Sequence, residues 1–261
     1  MTVTLACSWY PRGELARLQR LLPALRDLYA DVVIAVHNGT DESEQAIDWL
    51  QQADVMSVTF AGWSGRHAVV ERALALPPDF IQYADLDRLL RWVELRPDEL
   101  ADTVARIPDQ DCLIMGRTAN AWATHPRCMV ETERLFNLAF SHYFGRILDL
   151  GAGSRGLSRA AAELVVRYGP LDEALAMDAG WTVLVQRAGL TWDFVEVDGL
   201  DWETPDQYRD FAADSDTQGQ AAETYDADVN NWSLRTSVAE GILRLGLDAM
   251  TIPLGAEKEQ T

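Results

Sequence analysis

The chain has 261 residues, 48% of them hydrophobic and 24% charged, a balance that fits a globular protein with a proper core and excludes a disordered or fibrous one. Its 41 acidic residues outnumber 22 Lys and Arg, and the formal charge of −19 repels nucleic acid and anionic membranes, so no nucleic-acid partner is expected. The same field repels a phosphorylated ligand, which would need a metal ion or a local arginine cluster to bind.

The opening run Val3 to Cys7 reads as a strand, followed by a polar turn through Tyr10-Pro11-Arg12-Gly13. Leu15, Leu18, Leu21, Leu22, Leu25 and Leu28 then recur at helical spacing, with Pro23 predicting a kink or a restart. Asp31 to Val36 is a second strand closed by His37-Asn38-Gly39-Thr40-Asp41, and a helix follows through Trp49 and Leu50. Val55 to Phe60 is a third strand. The Gly-bearing loop Ala61 to Arg66 leads into a helix from His67 to Leu76, ended by Pro77-Pro78. A fourth strand begins at Phe80. Strands alternating with helices predict an α/β fold, with a parallel sheet and right-handed crossovers.

Beyond Asp87 a helix is expected over Leu89 to Ile107, with a break at Pro97. Cys112 to Met115 reads as a strand and Glu131 to Phe144 as a helix. Ile147 to Gly156 is glycine-rich and precedes a helix through Leu164 and Val166; another helix runs from near Met177-Asp178 to Arg187, and Trp192 to Val197 is a strand. Asp206 to Asp228 is polar, acidic and nearly free of aliphatic residues, which predicts a mobile loop or lid. Thr236 to Met250 carries Val238, Ile242 and Leu245 on one face of a helix that would dock on the sheet or on a second subunit, so a homo-oligomer is a possible partner state.

The cysteines, Cys7, Cys112 and Cys128, are odd in number and form no CxxC pair, which argues for a reducing compartment and against structural zinc. Residues 1–7 lack the basic flank of a signal peptide, and no apolar run is long enough to span a bilayer. A cytoplasmic protein with no transmembrane segment is expected.

The stretch Phe80-Ile81-Gln82-Tyr83-Ala84-Asp85-Leu86-Asp87 carries the chemistry. If extension persists to Asp87, both carboxylates project the same way at the carboxyl end of a strand. Ligands of open α/β sheets bind beyond those ends, and such a pair suits a hard divalent cation, Mg²⁺ or Mn²⁺.

Taken together, the first strand with its Pro and Arg turn, the turn Asn38 to Asp41, the Gly-plus-Arg helix start and the Asp85-Leu86-Asp87 triplet resemble the nucleotide-sugar-binding half of GT-A glycosyltransferases, particularly the family 2-like group. The resemblance implies a GT-A-like, Rossmann-type mixed sheet, mainly parallel and flanked by helices. It also implies a single domain divided into a nucleotide-sugar-binding half (1–117), an acceptor-side half (118–205) and an acidic loop with a C-terminal helix (206–261). The activity implied is hexosyltransferase-like: a sugar passes from a nucleoside diphosphate sugar donor to a hydroxyl of a small-molecule or glycan acceptor. By the same resemblance Asp87 is the direct metal ligand, and Asp85 binds the donor ribose or the metal through water. Ser8, Tyr10, Arg12, Asn38 and Asp41 fall in the nucleoside pocket, and Arg66 or Arg72 reaches a phosphate. Asp178 is the base that deprotonates the acceptor, with Asp172 and Glu173 as substitutes, and His125 or His142 a third metal ligand. Family 2 members commonly carry an Asp where this chain has His37 or Asn38, so the base of the nucleotide is left open. Each assignment has a plainer alternative: Asn38 to Asp41 as turn and cap chemistry, Asp178 as a helix cap, the triplet as solvated strand-end acids.

Leu148-Asp149-Leu150-Gly151-Ala152-Gly153-Ser154 also resembles the glycine-rich motif of S-adenosylmethionine-dependent methyltransferases. That motif should open its sheet, whereas several strand-helix units precede it here. In a glycosyltransferase the segment becomes a flexible acceptor-side loop with polar contacts from Ser154 and Arg155. A non-catalytic nucleotide-sugar-binding protein of the same fold is the third reading.

Overall fold

The structure, a computed structural model, describes residues 1–255. The first strand, β1 (Val3–Trp9), alternates Leu5, Cys7 and Trp9 into one core and Ala6 into another, so the sheet is buried on both faces. After it come α1 (Leu15–Leu28), β2 (Asp31–His37), α2 (Ser43–Gln52), β3 (Met56–Phe60), α3 (Gly65–Leu74) and β4 (Phe80–Asp85). Helix α1 runs unbroken through Pro23, which is exposed, so the backbone carbonyl it leaves without a donor lies on the solvent side.

Asp85 has extended backbone angles and caps α4 (Leu86–Leu95), so the strand stops one residue into the acidic triplet. The expectation that extension persists to Asp87 is corrected: Asp87 lies in the first turn of α4. Its position near a helix amino terminus still favours a carboxylate. The break at Pro97 is present, with α5 (Pro97–Arg106) restarting on that proline. The second half contains β5 (Cys112–Arg117), the short α6 (Ala119–Trp122), α7 (Arg127–Phe144), β6 (Ser154–Ser158), α8 (Arg159–Tyr168), α9 (Gly180–Arg187), β7 (Trp192–Val197), α10 (Ser215–Ala227) and α11 (Val229–Thr251).

These strands form one sheet in the order β3-β2-β1-β4-β6-β5-β7, and β6 pairs antiparallel with both β4 and β5 while the other pairings are parallel. Two core clusters fill the two faces. Helices α1, α2, α4 and α5 cover one; α3, α7, α8, α9 and α11 cover the other. Leu18, Leu25, Leu89 and Leu90 are fully buried on the first face, and truncating any of them to Ala should cost about 2–5 kcal/mol.

Two expectations fail here. Ser154 and Arg155 belong to a central strand rather than a flexible loop: both are fully buried, and the Arg155 guanidinium donates to the carbonyls of Leu150, Ser154 and Asp178. The acidic stretch 206–228 is not a mobile lid either. Asp214 accepts from the Thr217 amide and starts α10, and Asp206 is buried against Arg91 at 2.8 Å. Charge and low aliphatic content there mark an exposed helix and a buried ion pair.

Candidate active site

The chain leaves β1 for β2 and β3 on one side and returns to β4 on the other, so the strand order reverses between β1 and β4. A crevice opens outside the carboxyl ends of strands at such a switch point. Here Ser8 of β1 is in register with Asp85 of β4. Over them lies a cleft of about 340 Å³ whose floor and near wall are Ser8, Trp9, Tyr10, Arg12, Arg66, Asp85, Asp87 and Arg88. Trp63 stands on its rim. The far wall is Glu173, Ala174, Leu175, Glu203, Leu234 and Val238.

Asp85 is held rigidly. Its Oδ2 accepts from Arg66 Nη2 at 2.8 Å, and its Oδ1 accepts from the Tyr83 hydroxyl and from Ser8 Oγ at 3.3 Å. Burial pushes this carboxyl up, but Arg66 and Arg88 outweigh it, and it ends below its ordinary value. Gly153 makes the close packing possible: at φ +71° it lies against Asp85, and a Cβ there would come 2.5 Å from Asp85 Oδ2. Its carbonyl accepts from the Asp85 amide at 3.1 Å. The glycine segment thus supports the acid from below, and Gly151 gives its carbonyl to Arg88 at 3.4 Å.

Asp87 is in the opposite condition. Arg12 reaches its Oδ2 at 3.1 Å, yet burial, then Glu203, then Asp85 push its carboxyl up to about 7. Glu203 Oε2 is buried without a hydrogen bond, and its ion pair to Arg88 is long at 3.5 Å. Four carboxylates, Asp85, Asp87, Asp178 and Glu203, share the three guanidiniums of Arg12, Arg66 and Arg88. Every cleft arginine is already committed to an acid, and acid remains in excess.

This acid excess fits a divalent cation. Among the described residues no cluster of three or more His, Cys, Asp or Glu could hold a metal by itself. Asp87 and Glu203 would therefore supply two oxygens, with the remaining positions left to water and ligand, as Mg²⁺ and Mn²⁺ commonly accept. Asp85 already accepts from Arg66, Tyr83 and Ser8, so its remaining lone-pair capacity suits a ribose hydroxyl or a metal-bound water.

An aromatic group borders the cleft. Tyr10 stacks on His37 with ring centroids 4.5 Å apart and 22° between planes, Phe60 packs edge-on against both, and Tyr10 donates to the Gly62 carbonyl at 2.6 Å. Trp63 is 67% exposed beside them, a free face on which a planar ring can stack.

The structure brings Ser8, Tyr10, Arg12, Arg66, Asp85 and Asp87 together. It does not bring Asn38 or Asp41, which are exposed on the turn after β2 and do not line the cleft. Asp178 is corrected as well. It is 4% exposed, it does not line the cleft, and its Oδ2 accepts from Arg66 Nη1 at 3.2 Å. It is a positioning partner of Arg66 and not a helix cap, since α9 is capped by Ala179. Of the two substitute bases only Glu173 faces the cleft. His125 donates from Nδ1 to the Ala121 carbonyl beside Trp122, and His142 is exposed on α7, so neither faces the cleft. Sequence reading missed Glu203, Arg88 and the apolar pair Leu234 and Val238. The Asp201-Trp202-Glu203 cluster just past the last strand was the available signal for the first.

No protein-family model matches the sequence, and no curated protein does. Solved structures match the fold. Glucosyl-3-phosphoglycerate synthase from Mycobacterium tuberculosis, in complex with Mn²⁺, uridine diphosphate and phosphoglyceric acid, is 12% identical with a TM-score of 0.56 over 97% of this chain and 80% of that one. The same synthase with Mn²⁺, uridine diphosphate glucose and phosphoglyceric acid gives 0.54 over 97% and 81%. A further mycobacterial protein gives 0.59 at 13% identity over 97% and 76%. The chain therefore has the GT-A-type fold of nucleotide-diphospho-sugar transferases, the fold that the sequence resemblance implied.

Proposed function

We propose that this protein is a divalent-cation-dependent glycosyltransferase that takes a nucleoside diphosphate sugar in the cleft between β1 and β4. The observation that carries the reading is the acid excess at the cleft floor, where Asp87 faces Glu203 and its carboxyl rises to about 7. Holding both of these acids ionised is costly, and either a proton on Asp87 or a cation shared between them relieves the conflict. When bound there, a divalent cation supplies positive charge to a diphosphate leaving group.

The chain's own groups divide the remaining work. Trp63 and the Tyr10–His37 stack offer ring faces to a base, and Ser8 and Asp85 offer polar atoms at the depth of a ribose. Arg12 and Arg88 pair with Asp87 and Glu203, and if those acids held a cation the two guanidiniums would be left to reach phosphate oxygens. Asp178 holds Arg66 against Asp85. Glu173, on the far wall, accepts the proton of the acceptor hydroxyl. The acceptor oxygen then bonds to the sugar's anomeric carbon, and the bond from that carbon to the diphosphate oxygen breaks with its electron pair leaving on the diphosphate. The division of the chain into a donor half, an acceptor half and a C-terminal segment is part of this reading, supported by Ser8 to Arg88 lying on the near wall and Glu173 to Val238 on the far one.

Calorimetric titration with UDP-glucose and GDP-mannose, with Mn²⁺ and again with EDTA, tests it. Binding of one of them that disappears in EDTA is expected. Failure of both to bind in Mn²⁺ contradicts the reading.

A further inference from the structure

The two walls of the cleft differ in chemistry, and the difference bears on the acceptor. The near wall is polar and carries arginines paired with acids. On the far wall Leu175 follows Glu173 and Ala174, and α11 contributes Leu234 and Val238, one helical turn apart and directed into the same space. Leu234 is 55% exposed and, with Leu175 and Val238, gives that wall an apolar surface. That wall presents no cation to the cleft: the nearby Arg244 is engaged by Glu173 at 3.6 Å and Asp248 at 3.6 Å.

We infer that the acceptor is an uncharged alcohol or glycoside with an apolar body, its hydroxyl directed at Glu173 and its aliphatic or aromatic part lying on Leu175, Leu234 and Val238. The inference rests on the glycosyltransferase reading above. A phosphorylated or carboxylate acceptor would enter beside Glu173 and the acids of the floor, where each extra negative charge is repelled. No arginine is free to receive it: Arg12, Arg66 and Arg88 are all paired, and a donor diphosphate would claim any that are released. An apolar body instead covers Leu234 and Val238 and removes their exposed surface from water. Extending an acceptor by a few methylenes along this wall should improve its kcat/KM by about tenfold or more.

The experiment uses the full chain with Mn²⁺ and whichever of UDP-glucose or GDP-mannose binds, and it follows release of the nucleoside diphosphate. Methyl, hexyl and phenyl β-glucoside are compared with glucose 6-phosphate and 3-phosphoglycerate. Hexyl and phenyl glucoside should exceed the methyl glucoside by tenfold or more in kcat/KM, and the two phosphorylated compounds should give no rate above donor hydrolysis. In Leu234→Asp the advantage of hexyl over methyl should vanish while donor affinity is kept; Leu234 is exposed, so the fold tolerates the change, and Leu234→Ala should lose part of the advantage. Intact donor binding with a preference for a phosphorylated acceptor, or with no gain from methyl to hexyl, overturns the inference alone. Loss of donor binding in the wild type overturns the glycosyltransferase reading and this inference with it.

Discussion

Asp149, buried, and Asp87, with 20% of its side chain exposed, are carboxylates of the same chain with opposite fates. Asp149 accepts from Arg117 through both Nε and Nη2 at 2.8 Å, from the Arg117 amide at 2.9 Å and from Asn137 at 3.1 Å. Trp122 lies over the same guanidinium at 3.5 Å. Burial pushes Asp149 up, but Arg117 outweighs it, and the carboxyl falls to about 2. Asp87 has one arginine at 3.1 Å and two other acids acting on it, and it rises to about 7. Burial alone does not distinguish a structural acid from a functional one. What separates them is how far the surrounding chain satisfies the ionised form. Asp149 receives three direct bonds from Arg117 and one from Asn137, although Arg117 also serves Glu133; Asp87 receives one guanidinium and faces other acids, the imbalance on which the proposed cation site rests.

The strongest way to break the comparison is Arg117→Met, which strands Asp149 and Glu133 in the core. A loss of about 3–5 kcal/mol is expected in urea unfolding. Asp87→Asn should do the reverse in metal-free protein. Removing an ionised acid from a floor already rich in acid should stabilise the fold at pH 8 by about 1–3 kcal/mol, with the Mn²⁺-induced rise in melting temperature lost.

The pH dependences should also have opposite signs. Asp149 is lowered by folding, so its stabilisation is present above its ordinary 3.8 and is lost as pH falls through about 2. Asp87 is raised by folding, so its contribution is full below 3.8 and is lost as pH rises through about 7. Since a cation requires the ionised form, Mn²⁺ affinity should rise up to about tenfold per pH unit below pH 7 and level off above it. A flat Mn²⁺ affinity from pH 5.5 to 8 would remove Asp87 from the cation's ligands. The smallest effect is expected at the outlying turn, where Asn38→Ala and Asp41→Ala should change stability by under about 0.5 kcal/mol and leave donor affinity as it was.

How much of this was legible in the sequence depended on whether a feature was local. The parallel strands were readable because runs such as Asp31-Val32-Val33-Ile34-Ala35-Val36 are apolar on both faces. Strand β6 was not. Ser154-Arg155-Gly156-Leu157-Ser158 has no β-branched residue, and it holds its place with Arg155 donating to the carbonyls of Ser154, Leu150 and Asp178, the last brought there only by the fold. Helix α10 was hidden by its acidity, although Asp214 to Thr217 carries a cap signal and Ala221, Ala222 and Glu223 are good helix formers. In the site, the triplet located the cleft because it ends a strand next to β1. The partners of Asp87 were invisible because Glu203 comes from far along the chain. Asp178 looked like a base for the same reason: nothing local shows that Arg66 covers it.

The central claim is that Asp87 and Glu203 together hold a divalent cation for a nucleoside diphosphate. Electron paramagnetic resonance of free Mn²⁺ measures this directly, titrating wild type, Asp87→Asn and Glu203→Gln in the presence of UDP or GDP. Wild type should remove one Mn²⁺ per chain from solution with one of the two nucleotides, while each variant leaves the ion free at the same concentrations. Mn²⁺ uptake by both variants equal to that of the wild type would contradict the account.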